Sequence, residues 1–247
     1  MKIAAVILAA GKGTRMGEAE IPKVMFEVNG KPIIEHMIED IENSGIDDIT
    51  LVVGYKQEIV KDYFKDRVKY ALQTQQLGTG HAVLMAQENL EGKSDAVLVC
   101  YGDHATYKKE TIKKLIEKYQ DNKPAIAMLT VKFEDPMKWQ FGRIIRDKEG
   151  NICENVEQKD ANEEQLTIKE SNPSFYIFDS KFLWENLKTL NTENTQGEYY
   201  LTDMIKVAKD QGKRIISSPV SEESEVLGIN TQEHLKEVEE ILVKRSE

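Results

Sequence analysis

The stretch Leu8–Gly17, LAAGKGTRMG, follows an apolar run and packs three glycines and two cations into ten residues. That composition suits phosphate, because glycine lets the backbone come close to an anion and the cations supply charge. Two common phosphate loops nevertheless fail to describe it. The nucleotide-hydrolase loop G-x-x-x-x-G-K-[ST] needs its lysine after the second glycine, and here Lys12 falls between Gly11 and Gly13. The dinucleotide fingerprint G-x-G-x-x-G needs its third glycine one residue before Gly17, and a helix starting inside the loop. Pro22 leaves little room for that helix. His36, His81 and His234 show no metal-ligand spacing with one another.

The elements that must position this loop follow from the apolar pattern. Ile3–Leu8 is a continuous apolar run bounded by glycine, as in a strand buried on both faces. Pro32 opens a helix whose apolar face is Ile33, Ile34, Met37, Ile38 and Ile41, and Gly45 stops it. Strands are expected at Ile49–Val53, Val68–Leu72, Ala96–Tyr101 and Ala125–Val131, with helices near Gln57–Phe64, Gly80–Leu90 and Lys109–Tyr119. This alternation implies right-handed crossovers and an α/β fold with a doubly wound, mostly parallel sheet. Past Phe133 the pattern changes. Gly142–Glu157 predicts a hairpin turning at Lys148–Asn151. Asp160–Ser171 is polar and is expected to be an irregular, mobile excursion. A strand at Phe175–Phe178, helices at Lys181–Leu190 and Tyr199–Lys209, strands near Ile215 and Val226, and a helix at Thr231–Lys244 complete the chain. The expectation is one domain over residues 1–247 with a small inserted β lobe at about 134–172.

Composition bounds the partners. The 247 residues are 40% hydrophobic and 31% charged, with a net charge of −10. That balance argues against nucleic acid or an anionic membrane surface, both of which call for a basic face. Only Cys100 and Cys153 occur, which is no disulfide framework, so a cytoplasmic home is expected. The opening MKIAAVILAA is too short to span a bilayer and reads as a strand rather than a signal peptide.

Eight ordered blocks then narrow the chemistry: LAAGKGTRM, IPK, LQTQQLGTGHA, YGD, FGRI, VEQKDA, QGEYYLTD and GIN. Together they resemble the sugar-1-phosphate nucleotidyltransferases, and within them the uridylyltransferase domains acting on N-acetylglucosamine 1-phosphate. The resemblance implies Mg²⁺-dependent transfer of UMP from UTP, or a related pyrimidine nucleotide, to a sugar 1-phosphate with release of pyrophosphate. It assigns the nucleotide to Leu8, Ala9, Ala10, Gly11, Gly13, Thr14, Gln73, Gly78, Thr79 and Tyr101, and catalysis to Arg15 and Lys23. Arg15 would fork onto the β- and γ-phosphates and Lys23 would face the α-phosphate. Gln73 would bond the pyrimidine edge; an amide carries both donor and acceptor, which suits uracil without excluding cytosine. The sugar would meet Gly142, Glu157, Asn172, Tyr200 and Thr202, and magnesium would meet Asp103 and Asn230.

Several positions keep a second reading. Arg15 and Lys23 could be solvated surface cations, and Asp103 a turn residue. Asn230 also fits a cap for the last helix, a role that Thr231 could fill instead. Glu157 could be an exposed hairpin charge, and the tyrosines at 199 and 200 could be core of the helix they begin. His104, where close relatives carry an apolar residue, is expected to be a solvent-facing loop histidine. Asn172-Pro173-Ser174 replaces the family's Asn-Thr/Ser-Gly, which bears on the acetamido group of the sugar. Uridylyl or cytidylyl transfer to another sugar phosphate or phosphate monoester and a non-catalytic nucleotide-sugar sensor are the rival functions. The 247 residues hold no hexapeptide repeats, so neither the acetyltransferase activity nor the trimer of bifunctional relatives is inferred from them; a monomer or weak dimer is expected.

Overall fold

The computed structural model describes residues 1–13 and 20–246, with backbone alone at Ser246. β1 (Ile3–Ala9) runs through its centre. Its even-numbered residues Ala4, Val6 and Leu8 join one hydrophobic cluster, and Ala5, Ile7 and Ala9 join the other. This period-two division is what a strand covered on both faces requires.

A short hairpin, β2 (Glu27–Val28) and β3 (Lys31–Pro32), leads into α1 (Ile33–Asn43). β4 (Ile49–Val53), α2 (Gln57–Phe64), β5 (Lys69–Leu72), α3 (Thr79–Met85), α4 (Gln87–Leu90), β6 (Ala96–Tyr101), α5 (Lys109–Asn122) and β7 (Ile126–Lys132) complete the alternating half. β8 (Gly142–Arg146), β9 (Ile152–Val156), α6 (Glu163–Leu166), β10 (Glu170–Asn172), β11 (Tyr176–Asp179), α7 (Ser180–Asn186), α8 (Met204–Asp210), β12 (Ile215–Pro219) and α9 (Gln232–Ser246) follow.

Among the described residues these strands form a ten-stranded sheet in the order β5-β4-β1-β6-β11-β7-β10-β8-β9, with β12 on β7. β5, β4, β1 and β6 are mutually parallel, and β12 lies parallel to β7. β11 is antiparallel to both β6 and β7, and β10, β8 and β9 continue antiparallel beyond it. Residues of α1, α2, α5 and α9 pack in one cluster and residues of α3, α4, α7 and α8 in the other. The doubly wound α/β class is borne out, with an antiparallel extension.

Four expectations are corrected. Asp160–Ser171 is ordered: Asn162 and Gln165 close a capping box on α6, and the chain then re-enters the sheet as β10. Gly80–Leu90 is two helices, divided at Ala86, whose N–H bonds to Val83 O at 3.0 Å in a tightened turn. Tyr199 and Tyr200 begin no helix; a 3-10 turn at Leu201–Asp203 precedes α8, and the Tyr199 backbone instead pairs with Leu77 and Gly80. Val226 follows a 3-10 turn at Glu223–Glu225 and lies in no strand. No helix among the described residues is long and apolar enough to cross a membrane.

Candidate active site

In a parallel sheet the strand carboxyl ends leave a crevice where ligands fit. The first cleft here, of about 250 Å³, is lined by Leu8, Ala9, Ala10 and Gly11 at the carboxyl end of β1, by Gln73, Gly78 and Thr79 from the end of β5 to the start of α3, and by Tyr101 and Asp103 at the carboxyl end of β6. Lys23 also lines it. Gly13 lies behind, where a Cβ would stand 2.5 Å from Lys23 Cβ. Thr14 and Arg15 lie outside the described residues. Gly78 has a φ of 113°, and a Cβ on it would reach within 2.6 Å of Tyr199 O, so only glycine lets this loop close against the Tyr199 backbone. Thr79 Oγ1 then accepts from Leu201 N at 3.0 Å, which ties the start of α3 to the same segment.

A second cleft of about 200 Å³ adjoins the first and shares Thr79, Tyr101 and Asp103 with it. Gly142, Glu157, Asn172, Tyr200 and Asn230 line it, so these expected residues are brought together. Thr202 is not in the lining: it is buried behind Glu157 and donates to its Oε1 at 3.0 Å, and Asn155 donates to the same oxygen at 2.9 Å. Burial pushes the Glu157 carboxyl up from its ordinary range, only partly opposed by these two hydrogen bonds. It is therefore not an exposed hairpin charge. A Cβ on Gly142 would collide with the Asn155 amide, so the glycine makes room for the side chain that holds Glu157. Asn172 donates to the Tyr176 hydroxyl at 2.6 Å and accepts from Ser174 N at 2.9 Å. Ser174 takes the left-handed conformation at φ 60°, where glycine is favoured. A larger hollow, about 740 Å³ around Met1, Asp95 and Lys123, lies at the amino ends of β1 and β6 and gathers none of these groups.

Lys23 stands where the two clefts meet. Its ammonium donates to Asp103 Oδ2 at 2.5 Å and to Asn230 Oδ1 at 3.0 Å. Lys23 is therefore no solvated surface cation, since its side chain is only 15% exposed. Burial alone would raise the Asp103 pKa, but Lys23 and His104 beside it hold the carboxyl well below the usual range. Asp103 stays ionised at any ordinary pH. The helix cap is settled in favour of Thr231, whose Oγ1 accepts from His234 N at 3.2 Å. That leaves the Asn230 side chain oxygen to Lys23.

His104 overturns its expectation. It is 4% exposed, its backbone bridges Gly228, and its ring lies between Tyr101, Tyr107 and Phe141. Nδ1 sits 2.9 Å from Asp103 Oδ1 but off the hydrogen-bond line, so both ring nitrogens and that oxygen lack a hydrogen-bond partner among the described residues. Sequence reasoning also missed Gln76, which donates to Ala10 O at 2.7 Å and ties the two loops of the first cleft together. It lies inside the LQTQQLGTGHA block, so the signal was present.

Comparison with known proteins agrees with this geometry. The MobA-like NTP transferase domain matches residues 5–215. The chain belongs to that family. As a MobA-like NTP transferase it is a nucleotidyltransferase, and the resemblance drawn from the eight blocks is borne out. It is 42% identical over 99% of its length to the bifunctional protein GlmU of Clostridioides difficile, and 42% identical over 98% to that of Enterococcus faecalis. It spans about half the length of these curated relatives, 52% in each case. Among solved structures, a UDP-glucose pyrophosphorylase complexed with UDP-glucose superposes with a TM-score of 0.81 at 20% identity, covering 99% of this chain and 100% of that one. A putative glucose-1-phosphate thymidylyltransferase from Bacillus anthracis gives 0.79 at 20%, over 97% of this chain and 94% of that one. Both show that this transferase shares their fold.

Proposed function

We propose that the chain transfers UMP from UTP to a hexose 1-phosphate, with N-acetylglucosamine 1-phosphate as the acceptor and Mg²⁺ as the cation. One observation carries this reading: two adjoining clefts share Asp103, and a half-buried ammonium stands at the seam. The first cleft takes the nucleotide, with the backbone of Gly11 and Gly13 beside the phosphates and Gln73 beside the base. Thr14 N–H is assigned with these glycines to the phosphate oxygens, and Arg15 to the β- and γ-phosphates. The second cleft takes the sugar, with Glu157 accepting from its hydroxyls.

A phosphate monoester has its second pKa at about 6 and is mostly a dianion near neutral pH. Its oxygen attacks the α-phosphorus, the bond to the bridging oxygen breaks, and pyrophosphate leaves with the electron pair. No proton has to move, so no general base is required. The protein's part is to align the two substrates and neutralise charge. Lys23 does the second when its ammonium turns from Asp103 to the α-phosphate.

Asp103 and Asn230 fit a magnesium ion. Asp103 Oδ1 is a buried carboxylate oxygen with no hydrogen-bond partner among the described residues, and Asn230 Oδ1 converges with Asp103 Oδ2 on one ammonium. Magnesium commonly takes one or two protein oxygens and completes its shell with water and phosphate, so no larger cluster is needed. A cation held there supplies charge neutralisation for the phosphates.

Pyrophosphate release with Mg²⁺, each nucleoside triphosphate and a panel of sugar 1-phosphates tests the reading. UTP with N-acetylglucosamine 1-phosphate should be the best pair, ahead of glucose 1-phosphate by at least about tenfold in kcat/KM, or about 1.4 kcal/mol. Release that ignores the acceptor, or a glucose preference, would overturn the acceptor assignment.

A further inference from the structure

Gln73 is 4% exposed at the end of β5 and lines the first cleft. Its Nε2 lies 3.2 Å from the carbonyl oxygen of Gly78 and 3.0 Å from His81 Nδ1. A carbonyl oxygen can only accept, so the amide presents its NH₂ to Gly78. The other N–H of that nitrogen meets His81 Nδ1, which must carry a lone pair, so the imidazole keeps its proton on Nε2. Both donors of the glutamine are used inside the protein. Its oxygen is what remains for a ligand.

That asymmetry decides what base the cleft can accept. Uracil and thymine present a ring N3–H between two carbonyl oxygens, whereas cytosine presents a bare N3. An amide oxygen opposite N3–H makes a hydrogen bond; opposite the bare N3 of cytosine it sets lone pair against lone pair in a desolvated cleft, and the base would have to shift to bring its 4-amino donor to that oxygen. A glutamine free to rotate would serve either base by turning over. We propose that His81 is a positioning residue that sets base selectivity, by holding the Gln73 amide with its oxygen toward the base so that UTP is taken and CTP refused. This rests on assigning the first cleft to a pyrimidine nucleotide.

The histidine is held independently of any base. It sits in the first turn of α3, anchored by the Gly78 and Thr79 contacts with Tyr199 and Leu201. Its other side lines an apolar hollow with Leu84 and Leu187, so a leucine has room there without filling the cleft.

The test compares UTP and CTP on wild type, His81→Leu and His81→Asn, reading equilibrium binding by calorimetry alongside kcat/KM for pyrophosphate release. Wild type should favour UTP by at least about 100-fold, since the wrong base leaves buried polar groups unpaired. His81→Leu should cut that ratio at least about tenfold, chiefly by gaining CTP affinity as the amide becomes free to turn. His81→Asn returns a side-chain oxygen near the place of Nδ1 and should keep the ratio within about threefold of wild type. Should the leucine variant not fold, His81→Ala carries the same expectation. A folded leucine or alanine variant with the wild-type ratio overturns the role of His81 alone. A wild type that binds UTP and CTP equally overturns this inference and leaves the pyrimidine assignment standing, whereas a wild type that binds ATP or GTP as tightly as UTP overturns that assignment as well.

Discussion

The cleft assigned to the nucleotide and the cleft assigned to the acceptor share a wall but are built differently. The first is shaped by two backbone loops, the turn after β1 and a glycine loop pinned to Tyr199. The second is mostly side chains holding other side chains, Asn155 and Thr202 on Glu157, Tyr176 on Asn172, and Gln196 on Tyr200. Backbone amides recognise phosphate, which every nucleotide carries. Side-chain networks recognise a pattern of hydroxyls, and one altered member changes the pattern. On this account the acceptor cleft is where specificity can drift while the chemistry stays fixed.

Substitutions can break or sharpen that division. Lys23 lines the first cleft and bonds Asp103 and Asn230 of the second, so Lys23→Ala should lower kcat by roughly two to three orders of magnitude, the cost of losing a preorganised charge. An unchanged kcat in a folded variant would refute its role. Gly142→Ala should touch one cleft only. Its methyl displaces Asn155 and releases Glu157, so the acceptor KM should rise by about tenfold or more while the KM for UTP holds. A matching rise for UTP would mean that the clefts are not separable.

Glu157→Gln sets stability against function. A carboxyl whose folded pKa is raised prefers to be neutral in the native state. Its ionised form therefore costs stability above the folded pKa and costs nothing below the unfolded value, 4.5. The variant should melt at or above the wild-type temperature at pH 8, lose that advantage near pH 4, and turn over the acceptor more slowly. A lower melting temperature at pH 8 would show that the carboxylate's hydrogen bonds outweigh its burial. Ser174→Gly should have the smallest effect. Relief of a left-handed serine is worth about 1 kcal/mol, or a rise of 2–4 °C in a chain of this size. It should also favour the acetamido sugar over glucose 1-phosphate.

The two clefts also differed in how far the sequence revealed them. Glycine spacing after an apolar run marks, without any relative, a loop whose backbone can come close to a ligand, because glycine carries no Cβ. The acceptor cleft draws on residues from Gly142 to Tyr200 that meet only in the folded chain, and they were legible through family resemblance. Thr202 shows the limit: resemblance placed it at the sugar, while the structure puts it behind Glu157. His104 was misplaced for a similar reason. Nothing in its neighbours along the chain signals that Tyr101, Tyr107 and Phe141 close around it. The capping box at Asn162 and Gln165 was a local signal and could have been read. Asn230 and Thr231 were both plausible caps, and the choice depended on Lys23, more than 200 positions away.

The division between clefts is tested most directly by the affinity of UDP-N-acetylglucosamine, a ligand that would span both, compared with UTP, which would fill one. The account predicts that Gln73→Ala weakens both ligands, and that Glu157→Ala weakens UDP-N-acetylglucosamine by at least about tenfold while leaving UTP unchanged. Equal UDP-N-acetylglucosamine affinity in wild type and Glu157→Ala would contradict it.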